Sequence, residues 1–203
     1  MSIESKPIAV AITGASGSAY ALRLIGALLQ SGERLYLMIS QAAQIVLRME
    51  SGLELPSQPG EIQNILCERF NVSDEQLQVF GRQQWMAPVA SGSNPPRAMV
   101  VCPCTVGALS AIACGASNDL MERAADVVLK ERRKLILVVR ETPFSEIHLE
   151  NMLKLSRMGV VIMPANPGFY HNPQSVEEIV DFMVSRILDQ LGVENRLSPR
   201  WGE

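Results

Sequence analysis

Five apolar runs, each about the length of a β-strand, restrict this chain to few folds. They lie at Ile8–Thr13, Leu35–Ile39, Ala98–Cys102, Leu135–Val139 and Val160–Met163. Strands that are apolar on both faces are typical of parallel sheets whose two sides are covered by helices. We therefore predict a doubly wound α/β domain, a three-layer sandwich with a central parallel sheet.

Helical segments are predicted between and after these runs. The seven segments are Ser18–Gln30, Gln41–Met49, Glu61–Phe70, Thr105–Cys114, Asn118–Arg133, Glu146–Arg157 and Ser175–Leu191. Residues with a side chain suited to capping precede or begin three of them, namely Ser40, Asn118 and Ser145. The chain has 203 residues, of which 47% are apolar, enough for one sizeable core. Residues 1–203 are therefore predicted to form a single domain.

Charge and hydropathy exclude several kinds of partner. A formal net charge of −3 gives no general attraction to nucleic acid or to an anionic membrane, so any phosphate must be bound locally. No segment approaches the roughly 18 uninterrupted apolar residues of a membrane-spanning helix. The short apolar run at the amino terminus lacks the basic leader of a signal peptide. We expect a cytoplasmic protein.

The four cysteines of a cytoplasmic protein are expected to be reduced thiols. Cys102 and Cys104 flank a single proline, but a zinc ion needs further ligands at short spacing. The two histidines of the chain, His148 and His171, are far away in sequence. No metal site is predicted.

A charged helix followed by an apolar strand is the first candidate for chemistry. Four charged side chains recur at spacings of three, four and three, which places them on one stripe of the helix. They are Arg123, Asp126, Lys130 and Arg133. The strand ends at Arg140 and Glu141, where open α/β sheets bind their ligands. One interpretation is a site that holds a phosphate beside a carboxylate, and the other is a solvated helix face with an ordinary Asp126–Lys130 pair.

The segment Gly14-Ala15-Ser16-Gly17 follows the first strand and opens the first helix. Glycines permit a tight turn and a close approach of the backbone, while the helix amino terminus and the Ser16 hydroxyl offer hydrogen bonds to an anion. Ala19 takes the third glycine position of a dinucleotide fingerprint, and no acidic residue ends the second strand. These features favour a mononucleotide over NAD. The alternative is a plain strand-to-helix turn.

Small side chains also follow the third predicted strand, in the segment Thr105-Val106-Gly107-Ala108. They allow a flat ring or a phosphate to lie against the backbone N–H groups of a helix start. Thr105 is also a suitable helix cap, and the two roles are compatible. We expect Ser16, Ser40 and Thr105 to converge on one crevice.

Two carboxylates, Glu50 and Glu141, are candidates for general acid–base catalysis. A carboxylic acid with a raised pKa suits that task, whereas nearby cations lower the pKa. The candidate anion-binding side chains are Lys130, Arg140, Tyr170 and Arg186. The alternative for Arg186, which lies mid-helix, is an extended surface side chain. Trp201 is either a side chain lying on the surface of its own subunit or part of a lid or subunit contact.

Together these motifs resemble those of the UbiX-type flavin prenyltransferases, within the flavin-dependent cysteine decarboxylase superfamily. The motifs are GASG, the Pro-Cys pair, RAADVVLKERR, RETP and MPANPGFYHNPQS, and the resemblance covers about residues 7–201. It implies a Rossmann-like (flavodoxin-like) fold. It also implies metal-independent transfer of a dimethylallyl group from dimethylallyl monophosphate to N5 and C6 of reduced FMN, which gives prenylated FMN.

The resemblance further implies roles for individual residues. Binding of FMN is expected at Gly14, Ala15, Ser16, Ser40, Thr105, Val106, Gly107, Ala108 and Arg140. Binding of the allyl phosphate is expected at Lys130, Tyr170 and Arg186, with Arg123 close by, against Trp201 of a neighbouring subunit. The expected catalytic residues are Ser16, Glu50, Glu141 and Lys130, and the indole rings of Trp85 and Trp201 are expected to shield an allylic cation.

The implied partners are a UbiD-type decarboxylase, which uses the product in ubiquinone biosynthesis, and further copies of this chain. Relatives form large homo-oligomers, often dodecamers, with sites at subunit contacts. One departure concerns the segment after the Pro-Cys pair, where many relatives have Ser-x-Lys-Thr and this chain has Thr105-Val106-Gly107-Ala108. Flavin contacts there must depend on backbone groups. The alternatives are an FMN-dependent decarboxylase of the cysteine decarboxylase type, although no histidine precedes His148, and a flavin carrier without catalysis.

Overall fold

Six parallel strands form one sheet in the computed structural model of the protein, which describes residues 6–202. The strands are β1 (Ile8–Ile12), β2 (Leu35–Ile39), β3 (Leu77–Phe80), β4 (Ala98–Cys104), β5 (Lys134–Val139) and β6 (Val161–Ile162). Residues 1–5 and 203, which the single-domain prediction includes, lie outside the described range. The strand order β3-β2-β1-β4-β5-β6 is that of doubly wound nucleotide-binding sheets.

Seven α-helices flank the sheet within the described residues. They are α1 (Ser18–Gln30), α2 (Gln41–Ser51), α3 (Pro59–Phe70), α4 (Val106–Ala113), α5 (Leu120–Lys130), α6 (Glu146–Arg157) and α7 (Val176–Leu191). None of these helices has both the length and the apolar character needed to cross a membrane. The predicted three-layer sandwich around a central parallel sheet is confirmed.

The two faces of the sheet have separate cores because the side chains of each strand alternate. In β1, Ile8, Val10 and Ile12 pack with α1, α2, α3 and α7, while Ala9 and Ala11 pack with α4, α5 and α6. All five side chains are buried. Burial of each large aliphatic side chain contributes about 1.5–3 kcal/mol, so the continuous apolar runs fix the sheet between its two helical layers.

The strand β3 was not predicted from the sequence. Its residues alternate between buried (Leu77 and Val79) and partly exposed (Gln78 and Phe80), as in a half-buried edge strand. Such a strand of four residues lacks the continuous apolar run by which the other five were recognised.

Helix boundaries were predicted with small errors. The helix α5 ends at Lys130 instead of Arg133, and its cap is Asp119 rather than Asn118, since Asp119 accepts the N–H of Glu122 at 2.9 Å. The caps at Ser40 and Ser145 are confirmed by hydrogen bonds from Ala43 and His148.

The chain changes direction across the sheet between β1 and β4, which are neighbours at its centre. In open α/β sheets a crevice for ligands forms at this position, outside the carboxyl ends of the strands. Here β1 leads into Gly14 and β4 leads into Thr105. The fold therefore places the two glycine- and alanine-rich segments side by side.

Candidate active site

Thr13 connects the carboxyl ends of β1 and β4. Its hydroxyl donates to the Pro103 carbonyl at 2.7 Å and accepts the N–H of Thr105 at 2.8 Å. Thr13 is 5% exposed, so both bonds are shielded from water. This side chain fixes the spacing between the two segments that were expected to bind FMN.

A cavity of about 200 Å³ lies beside this connection. Seven of the residues that line it are small, namely Thr13, Gly14, Ser40, Ala42, Thr105, Gly107 and Ala108. The structure thus brings Ser40 and Thr105 to one crevice, as predicted, while Ser16 and Val106 are not among the lining residues. Pockets for small molecules usually measure about 300–1,000 Å³, so this cavity in one chain encloses only part of a ligand of FMN's size.

Ser40 and Thr105 also cap the helices that follow them. The Ser40 hydroxyl accepts the N–H of Ala43 and the Thr105 hydroxyl accepts the N–H of Ala108, each at 3.1 Å. The first N–H groups of a helix have no acceptor within the helix. In α4 the cap residue Thr105 accepts one of them, the N–H of Ala108. The N–H groups of Val106 and Gly107 are therefore suited to bind an anionic or carbonyl oxygen of a ligand.

The backbone at Gly14 and at Gly17 does not readily accept a residue with a side chain. A side chain at Gly14 would place its Cβ 2.5 Å from the Cβ of Ala42, because α2 approaches closely there. Gly17 has φ +114° and precedes the first turn of α1. The alternative interpretation of this segment, a tight strand-to-helix turn, therefore applies whether or not a ligand binds.

Glu50 occupies the amino terminus of α1. Its carboxylate accepts the N–H groups of Gly17 at 3.0 Å and Ser18 at 2.8 Å. The partial burial of Glu50 raises its pKa, but hydrogen bonds from the Ser16 hydroxyl and these N–H groups outweigh that effect and lower the pKa overall. The donors expected to bind a ligand anion are thus taken by the protein's own carboxylate. Glu50 also lacks the raised pKa that a general acid at neutral pH requires.

Arg140 lies at the carboxyl end of β5, as predicted. Its backbone N–H donates to the Cys104 carbonyl at 3.1 Å, which places Arg140 beside the start of α4. The Nε atom of its guanidinium is buried and has no hydrogen-bond partner among residues 6–202. A buried donor without an acceptor is costly, and an anionic group such as the phosphate of FMN would fit there. The neighbouring Glu141 folds back to accept the N–H of Thr142 at 3.0 Å.

The predicted charged stripe of α5 does not form as expected. Asp126 pairs with Arg123 at 2.9 Å rather than with Lys130, and Lys130 pairs with Glu131 at 2.6 Å. Arg133 lies beyond the end of the helix. Lys130 also precedes β5, so it lies at the amino-terminal edge of the sheet, on the side opposite Arg140. Within one chain, the structure therefore does not bring this stripe and Arg140 together.

Tyr170, Arg186 and Trp201 line a second cavity, of about 680 Å³. The rings of Tyr170 and Trp201 pack edge to face with their centroids 5.2 Å apart. Trp201 therefore lies against its own chain, as one of its two interpretations required. Trp85 is not among the residues that line either cavity, and its indole N–H donates to Gln83 at 3.1 Å.

The thiols that flank Pro103 are buried, Cys102 in the core on one face of the sheet and Cys104 in the core on the other. Burial raises the pKa of the Cys104 thiol to about 12, and it raises that of Cys102 further. Within residues 6–202, no three His, Cys, Asp and Glu side chains are grouped as the ligands of a metal ion. The Pro-Cys pair therefore shapes the end of β4 without supplying a reactive group.

Comparison with known proteins identifies the family. The flavoprotein family matches residues 1–188. Flavin prenyltransferase UbiX of Pseudomonas aeruginosa is 57% identical over 196 residues, which cover 97% of this chain and 94% of that protein. The chain belongs to the UbiX flavin prenyltransferases. UbiX of Halalkalibacterium halodurans is 47% identical over 96% of this chain and 92% of its own.

Solved structures agree with this family. A crystal structure of AnUbiX (PadA1) in complex with FMN and dimethylallyl pyrophosphate superposes with a TM-score of 0.86 at 36% identity, covering 98% of both chains. A dodecameric FMN-dependent UbiX-like decarboxylase from Escherichia coli O157:H7 gives a TM-score of 0.86 at 36% identity, over 97% of this chain and all of that one.

In this UbiX chain the expected site residues fall into three separate groups. The group at the carboxyl edge of the sheet holds Gly14, Ser16, Ser40, Glu50, Thr105, Gly107, Ala108, Arg140 and Glu141. A second group, at the end of α5, holds Lys130 near the loop of Gly92. A third lines the larger cavity. Each group carries at least one cationic side chain, and within residues 6–202 neither of the two cavities is lined by expected site residues from more than one group.

Three polar residues that line the smaller cavity were missed by the sequence analysis, namely Thr13, Asp119 and Glu122. The hydroxyl of Thr13 at the end of an apolar strand was a recognisable signal. Asp119 is held by Arg82 at 3.3 Å and by the N–H of Glu122. Its proximity to Ser40 depends on the packing of α5 beside β2, which no local pattern reveals.

Proposed function

We propose that this UbiX enzyme transfers the dimethylallyl group of dimethylallyl monophosphate to reduced FMN, with new bonds at N5 and C6 and release of phosphate. Residues 1–203 would form a single flavoprotein domain. The observation that carries the proposal is the presence of two regions with cationic side chains, each suited to bind an anion. One is centred on Arg140 and the start of α4, and the other on Arg186. A carrier of FMN needs the first alone, whereas a transferase also needs a place for the donor phosphate.

Reduced FMN, when bound, supplies the nucleophilic N5 and the ring carbon C6. The groups proposed to hold it are Arg140, Ser40 and the backbone N–H groups of the α4 start. Guanidinium and ammonium groups stabilise a phosphate most when its charge develops on leaving. We assign this task to Arg186 and Lys130, with Arg123 nearby and the Tyr170 hydroxyl as a further donor.

Proton transfer is assigned to the carboxylates. Glu50 is ionised at neutral pH and is the first proposed proton acceptor, with its carboxylate oriented by a hydrogen bond from the Ser16 hydroxyl. Glu141 and the released phosphate are the other proposed acceptors. The aromatic faces of Trp201 and Trp85 would exclude water from the allyl group, with cation–π contacts worth about 0.5–2 kcal/mol.

The separation of the three groups implies an oligomer. Lys130, assigned to the donor phosphate, and Arg140, assigned to FMN, lie at opposite ends of β5, so one chain does not bring the donor and the flavin together. We propose a homo-oligomer in which neighbouring chains complete each site, a dodecamer by analogy with the Escherichia coli protein. The proposed user of the product is a UbiD-type decarboxylase in ubiquinone biosynthesis. The four free thiols support a cytoplasmic location.

The test is anaerobic incubation with reduced FMN and dimethylallyl monophosphate, followed by mass spectrometry of the extracted flavin. A flavin heavier by one five-carbon unit is expected, and Lys130→Ala or Arg186→Ala should suppress it. Arg69→Ala, which alters a surface arginine in the last turn of α3, is the matched control. Unmodified FMN that remains bound would instead indicate a carrier. The decarboxylase alternative is disfavoured because His148, the first histidine, caps α6 by accepting the Ser145 N–H at 3.2 Å.

A further inference from the structure

One carboxylate in α7 holds two arginine side chains. Oδ2 of Asp189 accepts a hydrogen bond from Nη1 of Arg186 and another from Nη1 of Arg200, each at 2.7 Å. Its Oδ1 accepts the side-chain amide of Asn195 at 3.2 Å. The Asp189 side chain is 19% exposed. Asp189 therefore joins α7 to the segment that follows it near the carboxyl terminus.

Both arginines line the larger cavity. Arg200 immediately precedes Trp201, whose ring packs against Tyr170. Arg186 and Arg200 approach the same oxygen atom, so without the carboxylate their like charges would face each other and repel. The segment that carries Trp201 would then lose its charged connection to α7. Asp189 thus holds in place two parts of the cavity lining, Arg186 on α7 and the segment of Arg200 and Trp201.

We propose that Asp189 is a positioning residue for the prenyl donor. It fixes the guanidinium of Arg186 and anchors the Arg200–Trp201 segment over the cavity. Two guanidinium groups and one carboxylate leave a net positive charge, which suits an allyl monophosphate. The inference rests on the proposed function, because that function makes the donor the ligand of this cavity.

The test compares Asp189→Asn with Asp181→Asn by steady-state kinetics. Asp181 is a matched control because it lies on the same helix and pairs with Arg23, with its Oδ2 3.1 Å from Nη2, but does not line the cavity. In Asp189→Asn the KM for dimethylallyl monophosphate should rise roughly 10- to 100-fold, the usual effect of a misplaced binding group. The Kd for FMN should stay within about twofold, because FMN is assigned to the other cavity. In Asp181→Asn both constants should remain near those of the wild type.

Further variants keep the proposal open to refutation. Asp189→Glu retains the charge and should recover part of the donor affinity. Arg200→Gln removes the anchor of the Trp201 segment without altering α7, so it should also raise the KM even if Asp189→Asn fails to fold. An unchanged KM in Asp189→Asn, or an equal rise in Asp181→Asn, would overturn the inference. Absence of prenylated flavin with the wild-type protein would refute the proposed function itself.

Discussion

Lys130 and Arg140 lie at opposite ends of β5 in the same chain. Lys130 ends α5 just before the strand begins, and Arg140 follows its last residue. The six residues of β5 span about 20 Å at the usual rise of a strand. An allyl phosphate held by Lys130 could not reach an FMN molecule held by Arg140 of the same chain. If both residues serve one reaction, they must come from different subunits.

This relationship predicts complementation between two inactive variants. Lys130→Ala and Arg140→Ala should each abolish prenylation when alone. Co-expressed in equal amounts, they should recover about one quarter of wild-type activity. A site between two subunits is intact only when one subunit supplies Lys130 and the other supplies Arg140, and random assortment of the two variants gives that combination in about one site in four. Mass spectrometry of the flavin measures the recovery. Co-expression of Lys130→Ala with the double variant is the control and should remain inactive. An inactive mixture of the two single variants would show that one chain supplies both residues.

Glu50 should stabilise the fold in a pH-dependent way. Folding lowers the pKa of Glu50. Its contribution to the free energy of unfolding is therefore fully present above the pKa that Glu50 has in the unfolded chain, and it is lost as the pH falls through the pKa that Glu50 has in the folded protein. We expect Glu50→Gln to lose about 0.3–1 kcal/mol at pH 7, as for a carboxylate at a helix amino terminus. The difference from wild type should disappear in strongly acidic solution. Urea unfolding across pH measures this, with the exposed Glu54→Gln as a control without effect.

The sequence predicted most of the fold because buried parallel strands have an unmistakable pattern. β1, β2, β4 and β5 are apolar on both faces, and periodicity detects such runs reliably. β3 escaped detection since it is a short edge strand with one face partly exposed. The end of α5 was misplaced because charged residues continue past Lys130, where only the positive φ of Arg132 marks the change in backbone.

The candidate site was predicted in part, for a similar reason. The positions of Ser40, Thr105 and Arg140 at strand ends follow from the rule that parallel strands end at one edge of the sheet. The contact of Glu50 with the α1 terminus joins residues more than thirty positions apart through the packing of two helices. Local patterns carry no information on such contacts. The spacing of Lys130 along its helix likewise did not reveal that a full strand separates it from Arg140.

The buried hydroxyl of Thr13 should matter for both stability and FMN binding. In Thr13→Val the shape is retained, but the Thr105 N–H loses its acceptor. A buried donor left without a partner costs about 1–3 kcal/mol, and the α4 start should shift relative to Gly14. Urea unfolding and FMN fluorescence titration should both report a loss. Thr142→Val, at an exposed site, should change stability by less than about 0.5 kcal/mol. Equal effects of the two variants would contradict the role given to Thr13.

Arg140 should dominate FMN affinity. Arg140→Gln removes a charged donor whose loss typically costs about 1.5–3 kcal/mol, so the Kd for FMN should rise roughly 10- to 100-fold. Arg140→Lys keeps the positive charge but loses the planar guanidinium with its paired N–H donors, so it should recover only part of the affinity for FMN. Fluorescence titration gives the Kd, with Arg157→Gln at the exposed end of α6 as the control. A Kd unchanged in Arg140→Gln would place the FMN phosphate elsewhere.

The thiols beside Pro103 should resist alkylation in the folded protein. Thiolates rather than thiols react with iodoacetamide, and with a pKa of about 12 the Cys104 thiol is ionised in about one molecule in 10,000 at pH 8. Cys114 is exposed and should be modified first, as peptide mass spectrometry will show. Cys114→Ser should remove this rapid phase and leave the slow one. Unfolding in guanidinium chloride should then expose Cys102 and Cys104 together, because the two cores that bury them share one sheet and unfold with it. Rapid labelling of Cys104 in the folded protein would mean that the end of β4 opens readily, which would be incompatible with the rigid cavity proposed to bind FMN.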